Sequence, residues 1–204
     1  MKGLILCGGQ SVRMGFDKST LKRGGKYLFQ HLAEEFLSAG IQPFISHRSD
    51  QTHLLNSPYP GIADQGGLAG PIQGIKMAME SSPQSAWLVI PCDMPLLDRT
   101  VFNFLIAHRN EQKIATVFKI EDQKTGKEII LPFPAIYEPS FYTLMSAHLK
   151  AGQWSPKKML ESADCEVVAC PFPEKMANVN RPGDVGELKG FISDKSSETP
   201  KRED

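Results

Sequence analysis

Residues 3–7 form an apolar run of strand length that ends at Gly8-Gly9, where a loop begins. This loop contains two cationic residues, Arg13 and Lys18. Glycines let main-chain amides approach an anion, while guanidinium and ammonium groups neutralise the charge of the anion. The sequence therefore predicts a strand that leads directly into a binding loop for phosphate groups.

Two common phosphate-binding motifs do not fit the spacing of this loop. A P-loop needs four residues between its first glycine and a Gly-Lys-Ser/Thr sequence, but the residue before Lys18 is Asp17. A dinucleotide-binding fingerprint needs Gly-x-Gly-x-x-Gly, which Gly8, Gly9 and Gly15 do not supply. A glycine pair alone is more often a simple turn, and a single cationic residue is more often solvated surface. The prediction of a phosphate-binding loop therefore depends on their combination at this spacing.

Length and charge limit the classes of function. A chain of 204 residues suits one domain with an interior large enough for a sheet covered on both faces. The 23 basic and 23 acidic residues balance, so the overall field predicts neither nucleic acid nor a membrane surface as a partner. We expect residues 1–192 to form the single domain and the polar residues 193–204 to be a disordered tail.

Apolar segments and cysteines predict a cytoplasmic protein. The three apolar residues after Gly3 are too few for the core of a signal peptide, and no later segment is long enough to span a bilayer. The four cysteines form no Cys-x-x-Cys pair and lie in apolar runs, which indicates reduced core thiols rather than disulfides or a zinc site. They are Cys7, Cys92, Cys165 and Cys170.

Strand and helix patterns alternate along residues 1–110. Strands are predicted at residues 3–7, 43–46 and 86–91, and helices at residues 27–38, 67–80 and from Asp98 onward. This order favours an α/β fold of three layers, in which a mostly parallel, Rossmann-like sheet has helices on both faces. Ligand-binding loops of such a fold lie at the carboxyl ends of the strands. The later predicted strands are residues 114–120, 129–137 and 166–170, and the later helices are residues 139–151, 155–163 and 184–191.

Asp93 follows a strongly apolar predicted strand and stands between Pro91 and Pro95. The prolines restrict the backbone, so the carboxylate projects from the edge of the sheet with little freedom. Mg²⁺ is a hard ion that accepts one or two carboxylates together with phosphate oxygens, which makes Asp93 a predicted Mg²⁺ ligand. The alternative is that Asp93 caps the helix that follows, but Asp98 occupies a better position for that cap.

A glycine-rich stretch, residues 66–70, follows Asp64 and precedes a predicted helix. Such a stretch lets a flat base or a ribose lie against the main chain, and the positive end of the helix dipole favours an anionic group. The alternative is a plain loop whose glycines provide flexibility only. The stretch is therefore a candidate nucleotide-binding loop.

Residues 6–18 resemble the signature of the MobA-like nucleotidyltransferases, which is Leu-x-Gly-Gly, three residues, Arg-Met-Gly, one residue and Asp-Lys. The sequence around Asp93 is similar to the family's Pro-Cys-Asp-x-Pro element. Residues 64–70 are similar to the family's Asp and Gly-Pro-Leu-Ala-Gly element, with Gly67 in place of the proline. The resemblance extends over residues 4–188 and implies a fold of the nucleotide-diphospho-sugar transferase type.

The resemblance implies an enzyme that uses Mg²⁺, transfers GMP from GTP to molybdopterin and releases pyrophosphate. It also implies molybdoenzyme maturation proteins as partners, and neither nucleic acid nor a membrane. The acceptor phosphate attacks the α-phosphorus, so the protein needs no nucleophilic side chain and contributes placement and charge neutralisation. The implied catalytic residues are Arg13, Lys18 and Asp93, with Asp93 as the metal ligand. Asp17 is expected to position Lys18.

The resemblance implies separate residues for the nucleotide and for the acceptor. Asn178 and Asn180 alternate with Val179, so both amides point to one side of an extended segment. This segment resembles the family's Asn-Val-Asn element, which is associated with the second substrate, and both asparagines are implied to bind the acceptor. The alternative is a pair of turn asparagines before a helix. The implied nucleotide-binding residues are Leu6, Gly8, Gly9, Lys18, Asp64, Gly67, Leu68 and Asp93.

The chain departs from the family pattern at one strand. The family's second strand ends with an asparagine that helps to hold the nucleoside, and residues 43–48 contain none. Ser46 and His47 are the candidate replacements because both side chains donate and accept hydrogen bonds, although the sequence favours a surface position for His47. Three alternatives stay open: a transferase that uses CTP, one that uses a sugar phosphate, and a nucleotide-binding regulatory protein without turnover.

Overall fold

The computed structural model describes residues 1–8, 17–64, 70–122 and 125–179. The strands of these residues are β1 (Lys2–Leu6), β2 (Lys22–Arg23), β3 (Lys26–Tyr27), β4 (Pro43–His47), β5 (Gly61–Ala63), β6 (Trp87–Pro91), β7 (Ala115–Glu121), β8 (Glu128–Tyr137) and β9 (Glu166–Ala169). The α-helices are α1 (Leu28–Ser38), α2 (Thr52–Leu55), α3 (Pro71–Ser81), α4 (Arg99–Ala107), α5 (Phe141–Lys150) and α6 (Pro156–Glu161). None of these helices has the length and apolar composition needed to cross a bilayer.

The central sheet joins seven of these strands in the order β5-β4-β1-β6-β8-β7-β9. β5, β4, β1 and β6 run parallel, so that Leu4 of β1 pairs with Phe44 on one side and with Val89 on the other. β8 is antiparallel to both β6 and β7, and β9 is parallel to β7. The sheet is therefore mostly parallel, as predicted, and β2 and β3 form a separate hairpin.

Helices cover both faces of the sheet because the side chains of its strands alternate between two apolar clusters. Ile5 packs in the cluster that contains Phe36 of α1 and Phe102 of α4. Its neighbours Leu4 and Leu6 pack in the cluster on the other face, together with side chains of α3, α5 and α6. The predicted arrangement of three layers is confirmed.

The long apolar patterns predict most of these strands and helices to within a few residues at each end. α3 begins at Pro71, after Gly70 at φ 80°, a left-handed conformation that favours glycine. The predicted start of this helix at residue 67, the predicted helix 184–191 and the predicted tail 193–204 lie outside the described ranges. The sequence does not predict β5, α2 or the hairpin of β2 and β3, because two to four residues are too few to show a period.

The cysteines are all free thiols, but only two of them lie in the core. Cys7 and Cys92 are buried, and burial together with a hydrogen bond to Cys92 raises the pKa of Cys7 well above its ordinary value. Cys165 and Cys170 are partly exposed, which corrects the prediction of four core thiols. Partial burial still raises the pKa of Cys165 to about 11.

Candidate active site

Three neighbouring parallel strands, β4, β1 and β6, end at the same edge of the sheet. Main-chain hydrogen bonds extend the ladder past the strand ends: Cys7 N donates to Ser46 O at 2.9 Å, and Cys92 N donates to Leu6 O at 3.1 Å. The segments that follow these strands therefore meet at the carboxyl edge of the sheet, which is where open α/β folds bind their ligands.

Lys18 and Asp93 form an ion pair at this edge. Lys18 Nζ lies 2.6 Å from Asp93 Oδ2, although the two residues are 75 positions apart in the sequence. Their side chains are only 20% and 11% exposed, so water screens the pair less than a surface ion pair. The structure thus brings together two of the three predicted catalytic residues. The third, Arg13, lies outside the described residues.

The second carboxylate oxygen of Asp93 supports its prediction as a metal ligand. Asp93 Oδ1 is buried and has no hydrogen-bond partner among the described residues. Burial of an oxygen without a partner costs free energy unless a ligand supplies the missing contact. The same part of the chain holds no group of three or more His, Cys, Asp or Glu residues that could bind a metal alone. Asp93 therefore fits a Mg²⁺ ion that takes its other ligands from substrate phosphates and water.

Asp98, and not Asp93, caps α4. Asp98 Oδ1 accepts hydrogen bonds from Thr100 N at 3.0 Å and from Val101 N at 3.3 Å. Burial alone would raise the pKa of Asp98, but hydrogen bonds from Lys175 and Thr100 outweigh burial and lower this pKa below its ordinary value. The capping alternative for Asp93 is thereby excluded.

Asp64 lies directly against the glycine that follows β1. Its main-chain N donates to His47 O at 2.8 Å, and its Oδ1 accepts a hydrogen bond from Ser46 Oγ at 3.1 Å. A Cβ atom on Gly8 would lie only 2.0 Å from Asp64 Oδ2. Burial raises the pKa of Asp64 above its ordinary value, and this effect outweighs the lowering by the Ser46 hydrogen bond. A side chain at position 8 therefore requires the Asp64 carboxylate to move.

Both candidate replacements for the family asparagine are buried. Ser46 is 1% exposed and His47 is 5% exposed, so the prediction of a surface position for His47 is wrong. β4 lies between β5 and β1 in a sheet covered on both faces, so side chains on either side of it point into the interior. Ser46 contacts Asp64, whereas His47 packs over Gly61, with its Nε2 2.7 Å from the position of a Cβ atom there.

Gly8→Ala is expected to lower the free energy of unfolding by about 1 to 3 kcal/mol, because the new methyl group forces the Asp64 carboxylate away from Ser46. Asp64→Ala in the same chain removes the carboxylate and should restore most of the lost stability. Chemical denaturation of the two single variants and the double variant measures both effects. A double variant no more stable than Gly8→Ala would show that this contact does not restrict the position.

Asp17 holds the main chain of Lys18 in place. It caps the 3-10 helix Lys18–Thr20, where its Oδ1 accepts hydrogen bonds from Ser19 N at 2.9 Å and from Ser19 Oγ at 2.7 Å. Burial alone would raise the pKa of Asp17, but hydrogen bonds from Ser19 and Gln51 and the charge of Arg48 outweigh burial and lower this pKa. These contacts support the positioning role that the sequence predicts for Asp17.

Sequence reasoning did not find two residues that contact this site, Arg48 and Gln51. Arg48 Nη1 donates to Gly8 O at 3.0 Å, and Gln51 Nε2 donates to Cys7 O at 2.8 Å. Both side chains also donate to the Asp17 carboxylate. A single arginine or glutamine is usually a surface residue. The one signal in the sequence is that both follow the carboxyl end of a predicted strand.

The remaining predicted residues divide into two groups. Leu6 is buried at the end of β1. Asn178 is exposed and the neighbouring Val179 is buried, as the alternation of Asn178 and Val179 predicts. Val179 N donates to Asp93 O at 2.9 Å, so the predicted acceptor segment is tied to the candidate metal ligand. The predicted residues outside the described ranges are Gly9, Arg13, Gly67, Leu68 and Asn180.

Comparisons with known proteins show which family this chain is similar to. The family model of the MobA-like NTP transferase domain matches residues 3–168. A molybdenum cofactor biosynthesis bifunctional protein of Synechocystis is 32% identical, and the match covers 91% of this chain. This chain spans about half (53%) of the length of that protein. A molybdenum cofactor guanylyltransferase of Ectopseudomonas mendocina is 28% identical, with 88% of this chain and 87% of the relative covered.

A solved structure supports the fold. Molybdopterin-guanine dinucleotide biosynthesis protein A from Archaeoglobus fulgidus superposes with a TM-score of 0.75 at 22% sequence identity, and the match covers 92% of this chain and 96% of that protein. The predicted fold of the nucleotide-diphospho-sugar transferase type is confirmed.

Proposed function

The chain belongs to the MobA-like NTP transferase family, and from this we propose that it transfers GMP from GTP to the terminal phosphate of molybdopterin. The observation that carries the proposal is the contact between Lys18 and Asp93. It combines a cation for phosphate groups with a carboxylate for Mg²⁺ at the carboxyl edge of the sheet. The relative named molybdenum cofactor guanylyltransferase supports the choice of GTP and molybdopterin as substrates.

The proposed reaction needs no nucleophilic side chain. An oxygen of the acceptor phosphate forms a bond to the α-phosphorus of GTP. The bond between this phosphorus and the bridging oxygen breaks, and its electron pair leaves with pyrophosphate. Lys18 would bind the triphosphate and stabilise the negative charge that grows on the departing pyrophosphate. The predicted role of Arg13 in the same task belongs to this proposal.

Asp93 would hold Mg²⁺, and its Oδ1, which lacks a partner within the described ranges, supports this assignment. Bound there, the ion would neutralise charge on the substrate phosphates. Lys18 and Asp93 neutralise each other in the structure, so both charges are paired before substrate arrives. Lys18 then exchanges a carboxylate for a phosphate, which is a charge-assisted contact of the same kind.

Nucleoside and acceptor are proposed to occupy opposite sides of this ion pair. On the side of β5, Ser46 is proposed to take the place of the family asparagine, because its hydroxyl donates to the Asp64 carboxylate, whereas the His47 ring contacts Arg48 O. On the side of β6, exposed Asn178 adjoins Val179, whose main chain contacts Asp93. The roles of Gly9, Gly67, Leu68 and Asn180 stay predictions from the sequence, as do molybdoenzyme maturation proteins as partners.

GTP is expected to support turnover at least about tenfold better than CTP or ATP, a preference that needs only about 1.4 kcal/mol. Guanine offers an acceptor at O6 beside donors at N1 and N2, and main-chain groups of the glycine-rich residues 66–70 are predicted to pair with them. Pyrophosphate release, measured as kcat/KM for four nucleotides with molybdopterin and Mg²⁺, tests this preference.

The same assay separates the alternatives. A preference for CTP would keep the mechanism and overturn the choice of base. Turnover with a sugar phosphate in place of molybdopterin would overturn the acceptor. Binding of GTP without turnover on any acceptor would indicate a regulatory protein.

A further inference from the structure

Two side chains on the segment after β4 each connect the end of β1 with Asp17. Arg48 donates from Nη1 to Gly8 O at 3.0 Å and from Nη2 to Asp17 Oδ2 at 3.4 Å. Gln51 donates from Nε2 to Cys7 O at 2.8 Å and to Asp17 Oδ2 at 2.7 Å. These four contacts, which we name the Arg48–Gln51 clamp, converge on two consecutive main-chain carbonyls and one carboxylate oxygen.

The clamp and Ser19 together supply hydrogen bonds to both oxygens of the Asp17 carboxylate. Asp17 Oδ2 accepts from the clamp, while Oδ1 accepts from the main chain and the hydroxyl of Ser19. Gln51 and Ser19 are each only 2% exposed. A satisfied network of buried polar groups is rigid, because the loss of any one partner leaves another group unpaired.

The position of Lys18 depends on this network. Asp17 precedes Lys18 and caps the 3-10 helix that Lys18 begins, so a fixed Asp17 carboxylate fixes the main chain from which the lysine side chain extends. The side chain then reaches Asp93 at the end of β6. β1 lies between β4 and β6 in the sheet, so the contacts run from the segment after β4, across the end of β1, to Asp93.

We propose that Arg48 and Gln51 are positioning residues that hold Asp17, and through it Lys18, in place for phosphate transfer. The effect on turnover rests on the proposed function, whereas the effect on the main chain of residues 17–21 does not. Neither side chain needs to touch the substrate. The planar guanidinium of Arg48 contacts Gly8 O from Nη1 and Asp17 Oδ2 from Nη2, so its rigid fork fixes these two acceptors relative to each other.

Arg48→Gln tests the proposal, with Asp50→Asn as the matched control. Asp50 is another carboxylate partner of Arg48, with Oδ1 2.9 Å from its Nε and Oδ2 3.3 Å from its Nη2. It is exposed, and within the described ranges none of its hydrogen bonds reaches the end of β1. We expect Arg48→Gln to lower kcat/KM for GTP at least about tenfold, and Asp50→Asn to stay within about twofold of the original protein.

A double-mutant cycle with Lys18→Ala separates positioning from a general loss of structure. If the clamp acts through Lys18, then Arg48→Gln should lower kcat/KM by less than about twofold more in the Lys18→Ala background, because the two changes remove the same interaction. If Arg48→Gln lowers kcat/KM by the same factor in the Lys18→Ala background as in the original protein, the two residues act independently and the proposal is overturned.

Hydrogen exchange gives a readout that needs no turnover. The amides of Ser19, Thr20 and Leu21 bond to Asp17 and Lys18. We expect these amides to exchange at least about tenfold faster in Arg48→Gln, with the amides of β1 unchanged. Unchanged exchange at residues 19–21 would overturn the clamp even if turnover fell. Faster exchange in a protein that transfers no GMP would support the clamp and overturn only the proposed function.

Discussion

Asp93→Asn is expected to lower turnover by about a hundredfold or more, because the amide keeps the shape of the side chain but lacks the charge that a hard dication prefers. The substitution also removes the counter-charge of Lys18 in a shielded pair. Titration calorimetry should show weaker binding of Mg²⁺-GTP, and this readout does not depend on the acceptor. Equal affinity and equal turnover in the variant would remove Asp93 from the metal site.

Asp98→Asn is the matched control for this experiment. It makes the same chemical change five positions later, on a carboxylate that caps α4 rather than one that faces Lys18. Asparagine caps a helix about as well as aspartate. We therefore expect this variant to fold and to turn over GTP like the original protein, which assigns any loss in Asp93→Asn to position 93 itself.

Lys18→Ala is expected to lower kcat/KM by about tenfold to a hundredfold, since a charge-assisted contact to phosphate contributes roughly 1.5 to 3 kcal/mol. The larger part of the loss should appear in kcat, because the charge on pyrophosphate grows as its bond to the α-phosphorus breaks. Steady-state kinetics with saturating acceptor measures this division. Unchanged kinetics would remove Lys18 from the site.

Lys26→Ala is the control for Lys18. Lys26 lies on the hairpin of β2 and β3, pairs with Glu34 of α1 and is more exposed than Lys18. Exposed ion pairs contribute little to stability, with typical values of about 0 to 1 kcal/mol. The control should therefore match the original protein in both kinetics and thermal unfolding, while Lys18→Ala differs in kinetics.

The strands and helices were predictable where their hydrophobic pattern extends over many residues. β6 is apolar on both faces because its sheet is covered on both faces, and a run of this kind is visible in the sequence. β5 has three residues and gains its place only by pairing with β4, so no local pattern marks it. The wrong prediction of a surface position for His47 also comes from the lack of a local pattern, since a polar residue at the end of a strand does not show which elements cover it.

The site was predictable where backbone topology alone brings residues together. Lys18 and Asp93 both belong to segments at the carboxyl ends of parallel strands, so the predicted sheet places them at the same edge, where the structure shows them in contact. Arg48 and Gln51 reach the same edge through side-chain contacts over 31 to 44 sequence positions. Such contacts depend on the conformations of the side chains, which the spacing of residues in the sequence does not predict.

GTP with a labelled phosphorus distinguishes GMP transfer from the other reactions of the same substrates. In the presence of molybdopterin and Mg²⁺, we expect label at the α-phosphorus to appear in a molybdopterin product that contains one GMP, and label at the γ-phosphorus to leave in pyrophosphate. Both transfers should fall together in Lys18→Ala. Label from the γ-phosphorus on the acceptor, or no α-label on it, would contradict the proposed transfer.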